Sequence, residues 1–197
     1  MSWDWKVFFQ DTGGGQTYLN WMMSAWGWTL LVSACSLVVA LVVGSIMGIF
    51  RTTPVKALVW LGNAWTELFR NIPLLVQIFL WYHVIPSIFK GLQAVPDFVA
   101  VVIALGFFTS ARISEQVRAG IQALPRGQRY AGLAMGLTLP QTYRFVLLPM
   151  AFRIVIPPLT SESMNIIKNS SVAFAVNRVA AVIEKRVQVP GMIGGGK

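Results

Sequence analysis

The sequence predicts an all-α, polytopic transmembrane helix bundle, folded as a single membrane domain over residues 1–197. Three observations carry that expectation. Of 197 residues, 55% are hydrophobic and 12% charged, where a soluble domain carries about 25% charged residues. The apolar residues gather into charge-free runs, and about 20 such residues cross a hydrocarbon core. The basic residues gather in the short connections between those runs, which orients the chain by the positive-inside rule.

Before the first run stand Asp4, Lys6, Asp11 and a Gly13-Gly14-Gly15 turn. That start lacks the basic onset of a cleavable signal, so the first span is expected to stay as an anchor. Trp28 to Phe50 is the first span, with Trp21, Trp26 and Trp28 as an interfacial belt at its entrance. The connection after it holds Arg51 and Lys56 without an acid, which puts the N-terminus outside, on the periplasmic face. Val55 to Phe69 follows as a helix with Leu58, Leu61, Trp65 and Phe69 on its apolar face. A bend is expected near Pro73, because proline ends the preceding helix, and a second crossing over Asn71 to Phe89. The connection with Lys90, Pro96 and Asp97 is neutral and suits the outer face.

Phe98 to Ala111 becomes the third span if Arg112 and Glu115 are accommodated in the membrane. Arg118, Arg126, Arg129, Arg144 and Arg153 come next, with no acid from Gln116 through Ser161, the strongest inside signal in the chain. A fourth crossing is expected from near Ile154, past Pro157-Pro158, to Val176; its polar content faces protein or water, not lipid. The tail holds Arg178, Lys185, Arg186 and Lys197. These ask to be inside, whereas four crossings from an outside start end outside. Val179 to Ile183 is too short to return, so the bundle is expected to be shortened by most of one span near Val176-Asn177.

The net charge of +9 raises nucleic-acid binding, but no basic stripe with interleaved aromatics is present to support it. Cys35 lacks a second cysteine and reads as a packing residue. Lone His83 reads as packing too, so neither a metal site nor a cofactor is expected. Without a Gly-Lys-Ser/Thr phosphate loop, ATP hydrolysis is not expected in this chain.

The most informative stretch runs from Glu115 to Gln128, continues as Tyr130-Ala-Gly-Leu-Ala-Met-Gly-Leu-Thr-Leu-Pro140 and reaches Val146-Leu-Leu-Pro149. It reads as a span leaving the membrane, a break at Pro125 and Gly127, and a short helix that ends at Pro140. Gly132 and Gly136, four apart, would leave a small face open to close approach by another backbone. Pattern alone favours an ordinary amphipathic loop helix, since small residues at this spacing are common.

The segment resembles the cytoplasmic coupling loop of ABC importer permeases, with Ala131, Gly136, Val146, Leu148 and Pro149 matching in order and spacing. Tyr130 stands where that family often has Glu, and Gly132 where it has a second Ala. Glu67-Leu-Phe-Arg-Asn-Ile-Pro-Leu-Leu-Val-Gln77, Pro157-Pro158-Leu-Thr and Lys168-Asn-Ser-Ser are similar to the polar amino-acid branch of the family. Within it, Trp81-Tyr82, Ala111-Arg112, Leu124-Pro-Arg-Gly-Gln128, Pro190-Gly191 and Gly196-Lys197 resemble permease subunits for glutamate and aspartate.

The resemblance implies five spans, an inner-membrane location and alternating-access translocation of a polar, acidic amino acid. It also implies a second permease subunit, a pair of ATP-binding-cassette ATPases and a periplasmic solute-binding protein as partners. The coupling loop is placed at residues 122–149, with Tyr130, Ala131, Gly132, Gly136, Leu148 and Pro149 toward the ATPase.

Charged groups in the spans supply the substrate-path candidates, because an ionised side chain at mid-bilayer costs about 2.5–3.5 kcal/mol and needs a partner or water. Arg112, Glu115, Glu162 and Lys168 all need one. Arg112 and Glu115, three apart, can face one another as an ion pair that locks packing; alternatively Arg112 receives a substrate carboxylate in a bidentate contact. Ser161, Asn165 and Lys168 form a polar stripe that either lines the path or hydrogen-bonds between helices. Two other readings are weighed: a membrane-embedded enzyme using Glu115 or Glu162 with Arg112, and a permease fragment that assembles without transporting. Against the enzyme, no nucleophile and base sit together at a span end.

Overall fold

The computed structural model describes residues 8–11, 17–89, 91 and 95–187, with side chains described to Val172. Helix α1 (Tyr18–Phe50) begins well before Trp28. Thr17 caps it, its hydroxyl oxygen accepting from the Asn20 N–H at 3.4 Å, and no proline interrupts the stretch that follows. Trp21, Trp26 and Trp28 lie on its exposed first turns.

Helix α2 (Lys56–Asn71) forms where the apolar periodicity predicts it. Its buried stripe runs through Gly62, Thr66 and Phe69, while Leu61, expected on the core side, is exposed. The shift has a polar cause. Gly62 admits the Arg51 side chain, whose Cγ lies 2.6 Å from where a Cβ would be, and Thr66 is drawn inward by hydrogen bonds.

Helix α3 (Leu74–Ile88) leaves α2 at a bend of 100° across Ile72-Pro73. Pro73 cannot continue the ladder, so the last carbonyls of α2 need other donors. Buried Gln77 supplies them: its amide donates to Phe69 O at 2.7 Å and to Ile72 O at 2.9 Å. Helices α2 and α3 are long and apolar enough to cross a membrane only as a bent pair, the form of a broken span or of a re-entrant loop. A π-helical turn at Leu80–Val84 carries Trp81, Tyr82 and His83, the His83 ring lying tilted against Phe79 and edge-on to Tyr82.

Helix α4 (Asp97–Gln122) is the centre of the bundle: 56% of its most apolar stretch is buried, against 22% for α1. Around it close Ala40 of α1, Ile78 of α3, and Val155 and Ile166 further on, with Leu105 and Ile113 from α4 itself. Short helix α5 (Arg126–Ala134) follows, then α6 (Leu139–Thr142). A π-helical turn at Tyr143–Leu147 leads into α7 (Leu148–Val187).

The fourth crossing starts earlier than Ile154, because apolar helix is continuous from Leu139 through Val172. Pro157 and Pro158 lie inside α7 without ending it. The Thr160 hydroxyl donates to Pro157 O at 2.6 Å and Ser163 to Leu159 O at 3.0 Å. The backbone of α7 passes through Val176-Asn177 as helix. Pro190-Gly191 and Gly196-Lys197 lie outside the described residues.

Candidate functional site

Helices α4 and α7 bring Arg112, Gln116 and Glu162 together. Arg112 Nη1 stands 3.7 Å from Glu162 Oε2, close enough for attraction and too far for a hydrogen bond. Gln116 donates from Nε2 to Glu162 Oε1 at 3.3 Å. The guanidinium also lies 5.4 Å from the Phe108 ring centre, within cation–π range. Glu162 is 10% exposed and Arg112 44%, so the cation opens outward while its counter-ion is held inside.

Arg112 and Glu115 do not pair with each other. Glu115 reaches across to Arg70 of α2, while Arg112 turns to α7. Side chains three apart on a helix diverge by about 60° around its axis, and here two neighbouring helices offer each group its own partner. Glu162 joins the site as an unsatisfied charge already visible in the sequence, and Gln116 stands one turn beyond Arg112.

The stripe of Ser161, Asn165 and Lys168 is not brought to this cluster. Ser161 and Lys168 are exposed and Asn165 is half-buried, because the inward face of α7 is the one carrying Val155, Glu162, Ile166 and Ser170. Among the described residues, none of the three side chains makes a hydrogen bond.

The loop after α4 differs from expectation in one respect. The short helix ends at Ala134, not at Pro140. Gly136 adopts φ 81°, and the chain closes with Gly136 N–H to Leu133 O at 3.0 Å and Leu137 N–H to Gly132 O at 3.2 Å, a Schellman end that requires a left-handed residue. Gly136 is thus a helix stop and lies off any small-residue face. Gly132 is covered by its own chain, since a Cβ there would lie 2.7 Å from Thr142 Cγ2. Tyr130, Ala131, Leu133 and Met135 are exposed, Met135 by 81%. Leu148 is half-buried and Pro149 exposed at the start of α7.

Arg51, which the sequence marks only as an inside charge, is a structural hub. Its Nε donates to Asn63 Oδ1 at 2.8 Å, and its Nη1 to Thr66 Oγ1 and Ser114 Oγ, each at 3.3 Å. The loop after α1 is thereby tied to both α2 and α4. The Tyr143 hydroxyl adds a second tie, donating to Thr52 O at 2.7 Å.

Long apolar helices arranged around α4, a helix pair bent at a proline and a connected loop helix define an integral-membrane helix bundle. Its particular kind follows from comparison with known proteins. The chain belongs to the family of binding-protein-dependent transport system inner membrane components, whose model matches residues 40–178. It is an inner-membrane permease subunit, not an enzyme, and the embedded-enzyme alternative falls with that finding.

Over 191 residues it is 48% identical to the glutamate/aspartate import permease protein GltJ of Escherichia coli K12, covering 91% of this chain and 77% of that protein. It is 42% identical over 144 residues to the probable glutamine ABC transporter permease protein GlnM of Bacillus subtilis, covering 73% and 65%. Among solved structures, it is similar to an amino acid ABC transporter crystallised with histidines, with TM-score 0.62 and 28% identity, covering 80% of this chain and 74% of that one.

Proposed function

We propose that this chain is the translocating permease subunit of an ATP-driven importer for acidic amino acids, with Arg112 receiving a substrate carboxylate. The observation that carries the reading is the 48% identity to a glutamate/aspartate permease over 91% of the chain. The acidic preference draws further support from Arg112. Its guanidinium is 44% exposed and its counter-ion stands at 3.7 Å, so an incoming carboxylate can make the tighter bidentate contact that Glu162 does not.

The partners are a second permease subunit, an ATPase pair and a periplasmic solute-binding protein. The N-terminus is periplasmic and residues 122–149 form the cytoplasmic coupling loop. ATP-driven closure of the ATPases acts on the exposed α5 surface at Tyr130 and Ala131. Gly132 and Gly136 shape that helix, and Leu148 and Pro149 pass the movement to α7, biasing a two-state bundle. Ser161, Asn165 and Lys168 line the path further along α7, and Glu115 holds α4 to α2 beside it.

The test is glutamate uptake by the assembled importer with Arg112→Gln. The expected outcome is an apparent KM raised about tenfold or more, the loss of one charge-assisted contact, with ATPase co-purification unchanged. An unchanged KM would assign Arg112 to packing alone. Accessibility labelling of a cysteine placed at Gln128, with Cys35 replaced, checks orientation: protection from an impermeant reagent in intact cells is expected.

A further inference from the structure

Where α1 and α4 end, the chain encloses a cleft of about 380 Å³ lined by Arg51, Thr52, Gln122, Arg126, Arg129 and Tyr143, among others, with no acidic residue in its wall. Arg129 Nε is buried there without a hydrogen-bond partner. Burial and the nearby Arg118 make the Arg51 guanidinium less basic than usual. Arginines so placed favour an anion, and phosphate suits their forked donors.

A second groove, about 180 Å³, runs between α1, α4 and α7 and is lined by Leu41, Ile49, Val117, Leu148, Phe152 and Leu159, among others. It is apolar almost throughout. The two hollows follow one another along the chain: Ile49 of the groove, on α1, precedes Thr52 of the cleft, in the turn after α1, by three residues. Val117 precedes Ile121 by four on α4, and Leu147 of the cleft precedes Ala151 of the groove by four on the way into α7. Residues three or four apart stack on one side of a helix. The cationic cleft and the apolar groove therefore lie about one turn apart along the same three stretches of chain.

We infer that this composite hollow binds one anionic phospholipid, its phosphate among Arg51, Arg126 and Arg129 and an acyl chain along Ile49, Val117 and Leu148. A free anion needs no apolar groove, and a carboxylate from a partner protein needs none either; only an amphiphile uses both parts. The inference is independent of which substrate the protein carries.

The experiment is native mass spectrometry of the assembled, delipidated complex titrated with phosphatidylglycerol or phosphatidylcholine. The expected result is one phosphatidylglycerol retained per copy of this chain in preference to phosphatidylcholine. Arg126→Gln with Arg129→Gln is expected to weaken that binding about thirtyfold, as for the loss of two cations at an anionic headgroup, whereas Arg153→Gln, outside the cleft, leaves it unchanged. The paired Arg→Lys variant, which keeps both charges, is expected to retain most of the binding and guards against a fold defect in the Gln pair. Equal retention of the two lipids would overturn the proposal, as would undiminished binding by the Gln pair. Displacement of phosphatidylglycerol by inorganic phosphate would assign the cleft to a free anion instead. Loss of ATPase co-purification with lipid binding intact would assign the arginines to the partner.

Discussion

Helix α4 meets its two long neighbours on faces of opposite character. Toward α1 the seam is uncharged and close: Ser36, Ala40, Gly44 and Gly48 recur every four residues on the buried face of α1. A Cβ on Gly44 would lie 2.7 Å from Ile113 Cβ and from Ser110 O, and one on Gly48 2.7 Å from Val117 Cβ. Toward α7 the seam is close only at one end, where Gly120 admits Val155, a Cβ there lying 2.3 Å from Val155 Cγ2. Further along it holds a long ion pair, and Gln116 Oε1 and Glu162 Oε2 lack hydrogen-bond donors. A backbone-to-backbone seam of small residues has one arrangement, because any slide meets hard contacts. A seam with spare acceptors and a half-exposed cation has room for a second set of partners, in keeping with the carboxylate contact proposed for Arg112.

The largest expected effect breaks the first seam. Gly44→Leu is expected to cost about 3 kcal/mol by overpacking against Ser110 O and Ile113, read as a lowered thermal midpoint of the detergent-solubilised protein. Full stability would mean that α1 and α4 are not closely apposed. Next, Glu162→Ala leaves Arg112 and Gln116 without their shared acceptor and is expected to cost about 2 kcal/mol. A loss as large as that of Gly44→Leu would make the two seams equally rigid and erase the contrast.

Tyr143→Phe removes the hydrogen bond from the root of α7 to Thr52 and is expected to cost about 1 kcal/mol. Equal melting of variant and parent would show that Arg51 alone anchors that end. Smallest is Ser36→Ala. The Ser36 hydroxyl is fully buried without a partner, so its removal is expected to change stability by less than about 0.5 kcal/mol or to raise it slightly. A clear loss would reveal a polar contact inside the seam taken here as dry.

Much of the architecture was legible because a bilayer restricts it to few solutions. Charge-free length marked α1 and α4, and Pro73 marked the bend. The short helix after Pro125 was legible, yet the role of Gly136 was not: a glycine that spaces a small face and one that stops a helix look alike until φ is known. The glycine and alanine ladder on α1 is a visible pattern with an invisible partner, since four-residue spacing identifies a contact face without naming the helix that fills it. Leu61 misled for the related reason that hydrophobicity ranks residues, whereas the Arg51 hydrogen bonds turned α2 toward Gly62 and Thr66.

The amino-acid sequence by itself determined that this chain lives in a membrane, roughly where it crosses and which family it resembles, because those properties follow from composition, run length and motif order. Tertiary structure alone decided the charge pairing. Arg112 could meet Glu115 on its own helix, but α7 presents Glu162 and α2 presents Arg70. Which counter-ion wins depends on the distances that packing sets between helices, and no spacing within one helix contains them.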